Sequence, residues 1–404
     1  MRRDFVNMNA TDKPRFEHDI NIEPDLESTN IGNFVEVPFV DFSAQYTEER
    51  DAIHGCVDAV FSEGQFVSEK KVAEFESLIA ETVGTSFAIG VSSGTDALYL
   101  GLRALEVGPG DEVITPPNSH FSSTSAIVQA GATPVFVDVL DDQNIDPDAI
   151  KAAINKRTKV IMPVHLTGRV ARMDEILGIA QTQDITVLED AAQAFGARYS
   201  DQCAGSFGRV AAFSAHPLKV FNAAGDAGFL TTDDEELAHR LRRLRNNGLH
   251  ERETLMEWGV VSRLDVLQAA ILIYRLKNLE EKISKRRANA ARYRRELDAR
   301  FIHMPPCQAR EFNIFQNFVI QVNHRDELRE YLLDHKIRTA IHYPIPIHLQ
   351  PAASSIPRND NSLARVETQA GRILSLPVHP YLGDGQIDHV CHTINQFYRE
   401  RDRI

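Results

Sequence analysis

Apolar and polar positions change period along this chain, and those changes set the first expectations. Across residues 48–62 and 69–82 apolar residues recur at helical spacing, which gives each segment one face for a core. Residues 87–91 form a short apolar run of strand type, and Ser92-Ser93-Gly94-Thr95 then turns into a helix running through Leu105. The alternation continues with a strand at 112–115, a turn containing Pro116 and Pro117, and a helix at 122–130. Strands follow at 133–138, 159–164 and 185–188, with a helix between the last two. Strands that alternate with helices imply parallel crossovers and an open, doubly wound α/β sheet.

After Asp190 the rhythm shifts. Short strands at 210–214 and 227–232 bracket a loop that contains Lys219, and helices are expected at 234–246 and, as one long element joining two domains, at about 263–300. Beyond it come a strand at 317–322, a helix at 325–335, a Pro- and His-rich loop at 342–351 and a final helix from 385. Residues 1–36 are polar and non-periodic and read as a flexible extension. The expected organisation is therefore an extension at 1–36, a large domain at 37–280 and a smaller α+β domain at 281–404.

Composition narrows the function classes. The 404 residues are 43% hydrophobic and 25% charged, ordinary for a globular protein, and the net charge is -13. That balance argues against a nucleic-acid partner, which needs a basic face. The four cysteines, Cys56, Cys203, Cys307 and Cys391, are far apart, so no metal or redox pairing is read from them. No apolar run reaches the roughly 18 residues of a membrane span, and the first residues lack the apolar core of a signal peptide. The expectation is a cytoplasmic protein with no membrane partner.

Ligands of open α/β sheets bind at the carboxyl ends of the strands, and four features fall there. Ser92-Ser93-Gly94-Thr95-Asp96-Ala97 opens a helix, where backbone N–H groups and the helix dipole favour an anion; a plain helix cap is the simpler reading of that motif alone. Glu189-Asp190-Ala191-Ala192-Gln193 places a carboxylate where it can pair with a protonated ring nitrogen, and it too could be only a cap. Phe213-Ser214-Ala215-His216-Pro217-Leu218-Lys219 puts a lysine in a tight loop behind proline, although most lysines lie at the surface. Asn118-Ser119-His120 offers an imidazole that can stack on a planar ring, or a loop histidine with no ligand.

The order and spacing of these motifs, with Gly225-Asp226-Ala227-Gly228, closely resemble the DegT/DnrJ/EryC1/StrS family of pyridoxal-phosphate (PLP) sugar aminotransferases. The resemblance runs from about Val37 to the C-terminus. It also rests on Val37-Pro38-Phe39-Val40-Asp41, Pro109-Gly110-Asp111-Glu112-Val113, Leu267-Gln268-Ala269-Ala270 and His342-Tyr343-Pro344. It implies fold type I of the PLP-dependent transferases: a large domain with a mostly parallel mixed sheet flanked by helices, and a smaller α+β domain. It also implies a homodimer with active sites at the interface, a keto-sugar substrate, most often nucleotide-linked, and an amino-acid donor, glutamate by analogy.

Residue by residue, the resemblance makes Lys219 the catalytic lysine, joined to PLP as a Schiff base. Asp190 would meet the pyridinium nitrogen and Gln193 the ring oxygen, Gly94, Thr95 and Ser214 would hold the phosphate, and His120 would stack on the ring. His342 and Tyr343 belong to the substrate-side loop. Arg169, where the family often has Gln, is an alternative anion contact at the site mouth or a residue with no substrate role. The family's Gly-x-Asn-x-Arg run, which reaches the partner's phosphate, reads here Gly259-Val260-Val261-Ser262-Arg263, with Val261 in place of Asn. Arg286, Arg287, Arg292, Arg294 and Arg295 read as a solvated helix face. The rivals are a related sugar dehydratase, which Lys219 disfavours because those enzymes carry histidine there, a PLP-binding sensor without turnover, and a nicotinamide-dependent reductase, for which no GxGxxG is present.

Overall fold

The computed structural model describes residues 35–402 apart from Ser68, Arg252 and residues 358–360. The expected N-terminal extension therefore lies, but for its last two residues, outside the described residues. Helices α1 (Phe42–Glu63) and α2 (Glu69–Val83) lead into β1 (Phe87–Val91), and α3 (Gly94–Ala104), β2 (Glu112–Thr115), α4 (Phe121–Gln129), β3 (Thr133–Phe136), α5 (Pro147–Ala153), β4 (Thr158–Ile161), α6 (Met173–Gln183) and β5 (Thr186–Asp190) follow in alternation. A small hairpin, β6 (Arg198–Tyr199) and β7 (Gln202–Cys203), precedes β8 (Val210–Ser214) and β9 (Gly228–Thr232).

Seven of these strands form one sheet in the order β1-β9-β8-β5-β4-β2-β3. Only β9 is reversed: it pairs antiparallel with both β1 and β8, and the other neighbours pair in parallel. The expected mostly parallel mixed sheet is thus present. Strand periodicity explains its two covered faces. Ala88, Ile114, Ile161, Val187, Ala211, Phe213 and Phe229 point into one core with α2 and α6. Their neighbours Ile89, Val113, Val160, Leu188, Val210, Ala212 and Leu230 point into the other, with α3, α4 and α7 (Glu235–Leu244). Successive side chains alternate between faces, so near-continuous apolar strands mark a sheet buried on both sides.

The expected single helix at 263–300 is two, α8 (Val266–Leu276) and α9 (Leu279–Glu296). At the join Lys277 N donates to Tyr274 O and Asn278 N to Arg275 O, each at 3.2 Å. These three-residue bonds tighten the last turn, and Asn278 leaves helical geometry with φ -109° and ψ 5°. A tightened turn of this kind ends a helix without glycine or proline. The hairpin β10 (Leu249–His250) and β11 (Thr254–Leu255) lies before α8.

The remainder builds a second sheet from β12 (Ile302–His303), β14 (Phe318–Val322) and β15 (Ile373–Leu376), packed with α10 (Arg325–Asp334) and α12 (Asp384–Arg401) around a third core. Val37 joins this core: it pairs with Ile337, and its side chain is fully buried there. The short β13 (Glu311–Phe312) pairs instead with β6 of the hairpin after β5, and α11 (Ala364–Ala370) precedes β15.

One buried carboxylate fixes the end of β5. Glu189 accepts from the backbone N–H of Gly205, Phe207 and Gly208 at 2.7–2.8 Å and from His165 Nε2 at 2.8 Å. His165 Nδ1 in turn accepts from Ala171 N, which makes Nε2 the protonated nitrogen. Four donors satisfy a carboxylate with no exposed surface. Replacing Glu189 with Gln turns one acceptor oxygen into a donor facing N–H groups, which costs about 1–3 kcal/mol for the unsatisfied group. Glu189→Gln is therefore expected to lower the thermal unfolding midpoint by several degrees, measured by calorimetry. An unchanged midpoint would show that these bonds add nothing.

Candidate active site

The loop after β8 holds Lys219 by its backbone. Ala215 N donates to Ala227 O at 2.8 Å, Ala223 N to Ala215 O at 2.7 Å, and Lys219 N to His216 O at 2.8 Å. Asn222 Nδ2 closes the loop on Pro217 O at 2.8 Å. A clamp comes from far along the chain: Gln316 accepts from Val220 N at 2.9 Å and donates to Leu218 O at 2.8 Å, one bond on each side of Lys219. Below the loop Phe195, Phe213, Phe221 and Phe229 stack and abut edge-on, with centroids 4.6–5.6 Å apart along the Phe221-Phe195-Phe213-Phe229 path. The rings give this loop a rigid apolar floor.

Lys219 is thus largely kept from bulk water. Desolvation brings its amine from 10.5 down to about 8, and the negative charge of Asp190 opposes that shift. Asp190, at the last position of β5, is 3% exposed. Its Oδ2 accepts from Ser123 Oγ at 2.6 Å and its Oδ1 from Ala192 N at 3.2 Å. Ser123 is itself buried and lies 2.6 Å from Ser119 Oγ, so the carboxylate is oriented from α4.

The start of α3 meets the ends of β8 and β9 without room for side chains. A Cβ on Gly94 would stand 2.6 Å from Ser214 Cβ, and one on Gly228 would stand 2.4 Å from the Ser93 carbonyl. These glycines are required by close approach of backbone to backbone. Ser93 caps α3 by accepting from Asp96 N at 3.1 Å. Thr95 Oγ1 donates to Ser122 Oγ at 2.8 Å, and that hydroxyl lies 2.8 Å from His120 Nδ1. His120 caps α4, since Nδ1 also accepts from Ser122 N at 3.3 Å. The imidazole is therefore held with its proton on Nε2. Burial, reinforced by Lys219, lowers its pKa, and Asp190 opposes this.

On the other side Gln193 is fixed through Oε1, which accepts from Thr167 N at 2.8 Å, and its Nε2 donates to Tyr343 OH at 3.2 Å. Burial, and then Asp190, raise the Tyr343 phenol above its ordinary value. His342 packs on Phe39 with centroids 5.9 Å apart, and its Nδ1 lies 2.9 Å from Ser375 Oγ. Burial, followed by the neighbours Lys219 and His120, brings its pKa down to about 4. His342 is neutral at physiological pH.

One cavity of about 500 Å3 joins these parts. It is lined by Gly94, Thr95, His120, Asp190, Gln193, Ser214, Lys219, His342 and Tyr343, which are all but one of the site residues expected from the sequence. The exception is Arg169. Its guanidinium donates to Pro306 O at 3.0 Å and Pro305 O at 3.2 Å and faces Asp142 and Glu311, so it braces a loop instead of reaching the cavity. Ser123, Gln316, Asn317, Asp226 and Arg286 also line the cavity, and sequence reasoning missed them as site residues. Only Asp226 lies in a recognised motif; Ser123 and Arg286 sit inside helices, and Gln316 and Asn317 in the bend before β14. Among the described residues no group of three or more His, Cys, Asp and Glu could hold a metal ion, and no helix is long and apolar enough to cross a membrane.

A solvated face was the expectation for the arginines of α9, and packing overturns it. Arg287 donates to Asn313 O, Arg294 to Pro305 O, Arg292 pairs with Asp384 and Asp388, and Arg286 is 8% exposed. The Arg292 pairs reach exposed carboxylates, and Arg295 keeps an exposed pair with Glu296. The helix meets the C-terminal sheet on this side, and the arginines reach over to carbonyls that end loops there.

Comparison with known proteins agrees with this architecture. The model of the DegT/DnrJ/EryC1/StrS aminotransferase family matches residues 47–395. The chain is 38% identical over 369 residues to a Streptomyces venezuelae dTDP-3-amino-3,4,6-trideoxy-alpha-D-glucose transaminase, covering 91% of this chain and 97% of that one. It is also 38% identical over 369 residues to a Geobacillus stearothermophilus protein named as a pleiotropic regulatory protein, covering 90% and 99%. Among solved structures, S. venezuelae DesV in complex with a ketimine intermediate superposes with a TM-score of 0.87 at 39% identity, covering 90% of this chain and 98% of that one. The Bacillus subtilis protein NtdA with bound cofactor PMP gives a TM-score of 0.85 at 30% identity, covering 92% and 86%.

The lowered Lys219 pKa has a direct test. A group depressed by desolvation is uncharged above its shifted value, so Lys219 should become nucleophilic around pH 8, well before an ordinary lysine. In cofactor-free protein, competitive labelling with acetic anhydride should show Lys219 half-reactive near pH 8. Asp190→Asn removes the charge that favours the ammonium and should move that midpoint to lower pH. A midpoint above about pH 10, where an ordinary lysine titrates, would contradict the geometry.

Proposed function

The chain belongs to the DegT/DnrJ/EryC1/StrS aminotransferase family, and on that premise we propose that it is a PLP-dependent sugar aminotransferase. It takes an amino group from an amino acid, glutamate first among them, and delivers it to a keto-sugar carried on a nucleotide. The observation that carries this reading is the meeting of a desolvated Lys219 and a buried, oriented Asp190 in one cavity, beside a backbone cradle with no room for Cβ atoms. The nucleotide carrier is supported by the dTDP-sugar named for the Streptomyces relative.

The residues fit the cofactor. Gly94 and Thr95 at the start of α3, with Ser214 at the end of β8, offer N–H and hydroxyl donors to a phosphate. Asp190 has lone pairs left after its two bonds and would accept a hydrogen bond from the protonated ring nitrogen, keeping the proton there. His120 offers its ring as a stacking face, and Gln193 offers its amide to the ring oxygen. When bound, PLP supplies the electron sink that stabilises charge left on carbon after a proton departs.

The remaining work belongs to the protein. Lys219 Nζ would hold the cofactor covalently and would serve as the base that moves the proton between carbon atoms. A base needs a neutral fraction: an amine of pKa about 8 is about one-tenth neutral at pH 7, against well under a thousandth for an ordinary lysine. The clamp of Gln316 fixes the backbone on both sides of Lys219, from which Nζ extends. Phe39, Val40 and Val378 give the same cavity an apolar wall. The regulatory name of the Geobacillus relative raises the alternative of a sensor without turnover, and the retention of a tuned base argues against it.

The surface of the chain supports a homodimer. Leu255, Met256 and Val261 are exposed, and Trp258 is 81% exposed, around the β10–β11 hairpin and the segment after it. Large apolar groups gathered at one place call for a partner. Ser262 between Val261 and Arg263 turns inward, where its hydroxyl donates to Asp96 Oδ2 at 2.6 Å, so its two neighbours face outward. Residues 37–280 and 281–404 remain the proposed domain division.

Two measurements test this function. The purified protein should show a visible cofactor absorbance that changes on adding glutamate, and Lys219→Ala should lose that response with turnover reduced about 10²–10⁴-fold or more. A variant that keeps both would sink the assignment. Trp258→Asp should weaken the dimer about 30-fold or more, seen by sedimentation equilibrium; an unchanged assembly would place the interface elsewhere.

A further inference from the structure

A second large cavity lies on the smaller sheet. Its volume is about 690 Å3, and its walls include Arg300, Phe301, Asn323, Arg372, Tyr398 and Arg401. Arg300 follows α9, Arg372 precedes β15 and Arg401 ends α12, so the three guanidiniums come from separate segments. They gather here although the chain carries a net charge of -13, and among the described residues Asp402 is the one carboxylate on the walls. β14 runs between the two cavities: Asn317 before it lines the main cavity, and Asn323 after it lines this one. That separation is about 20 Å of strand, at about 3.3 Å per residue, so this cavity is not an annex of the catalytic one.

The three cations differ in what already holds them. Arg300 forks onto the Asp298 carboxylate at 2.6–3.1 Å, and Arg401 pairs with Glu327. Exposed pairs of this kind are weak, so an incoming anion can share either guanidinium. Arg372 has no such partner: among the described residues no carboxylate pairs with it, and its Nε is buried without an acceptor. Arg372 and Arg401 bear on the same wall. Burial raises the Tyr398 phenol, and the charges of Arg401 and Arg372 oppose that rise. The phenol donates to Asn323 O at 2.7 Å, and its ring lies parallel to Phe301 with centroids 5.4 Å apart, which makes this wall stiff.

We propose that this cavity is a second ligand site and that it takes a small molecule carrying a diphosphate. Guanidinium groups meet phosphate oxygens with paired N–H donors. Three of them against one carboxylate call for an anion of more than one charge. Their origin in three segments calls for an anion longer than a single phosphate. The volume is that of a small-molecule pocket, so a nucleoside diphosphate fits as well as the bare diphosphate. Arg372 is the anchor, because its Nε lacks any other acceptor, and Arg300 and Arg401 flank it. None of the three lines the main cavity, so the inference stands apart from the proposed transfer reaction.

Calorimetry on cofactor-loaded protein tests this, with inorganic pyrophosphate and ADP as probes and sulfate at equal ionic strength as the control. Arg372→Gln should weaken pyrophosphate binding about 10-fold or more, and Arg372→Lys, which keeps the charge and loses the paired geometry, by less. Arg401→Gln, a change at an exposed group, should weaken it about 3-fold or more. ADP binding tighter than pyrophosphate means that the site also reads a nucleoside; equal or weaker binding means that it reads the diphosphate alone. A readout without substitution comes from hydrogen exchange: pyrophosphate should slow exchange of the backbone at 299–304. Unchanged exchange there, pyrophosphate binding weaker than about 1 mM, or binding that sulfate equals would each overturn the inference. Affinity that survives both Arg372→Gln and Arg401→Gln would overturn it too, because the anion would then sit in the main cavity.

Discussion

A lysine must be kept out of water here without being neutralised by a permanent ion pair. A close carboxylate would have restored the ammonium, and full exposure would have done the same. The chain resolves this by distance and by backbone. Asp190 acts on Lys219 as a charge across the cavity, while its own oxygens are occupied by Ser123 and Ala192 N–H. Position is then set by main-chain bonds and the Gln316 clamp, which leave the amine itself free of duty. Much of the surrounding structure answers to that one requirement: a phenylalanine floor, a tight loop and a strand that must end at residue 190.

The end of β5 shows how strand geometry divides labour between adjacent carboxylates. Glu189 and Asp190 point to opposite faces because side chains alternate along a strand. Glu189 turns to the face where the 205–208 loop passes, and four donors meet it. Its neighbour looks to the cavity with two donors and spare acceptor capacity. A structural carboxylate and a chemical one thus sit side by side, distinguished by how many hydrogen bonds each can still accept.

The sheet, most helices and nine of the residues that line the cavity were legible in the sequence because their signals are local. Strand runs, Gly94 opening a helix and Pro217 before the lysine each act within a few residues. What stayed hidden depends on contacts between distant segments. Gln316 clamps residues 218 and 220 from about a hundred positions away, and no local feature of Asn313-Ile314-Phe315-Gln316 announces it. The arginines of α9 have the composition of a wet face, and only the arrival of residues 305–316 draws Arg286, Arg287 and Arg294 onto loop carbonyls. The break at Asn278 escaped for another reason: three-residue turns need no special residue, so the helical period runs through them unmarked.

Charge in the cavity has a direction that follows from these long-range contacts. Asp190 faces the side of α4, where Ser123 and His120 stand, whereas Arg286 enters from α9. His120 and His342 do not blur that polarity. His120 is held with a bare Nδ1 by its capping role, and burial keeps His342 neutral. Permanent positive charge on the main cavity is thereby concentrated in a group that keeps it and an amine that can lose it. The two differ by their pKa values, about 10 against about 8. Near neutral pH, then, one of the two stays charged while the other exchanges a proton.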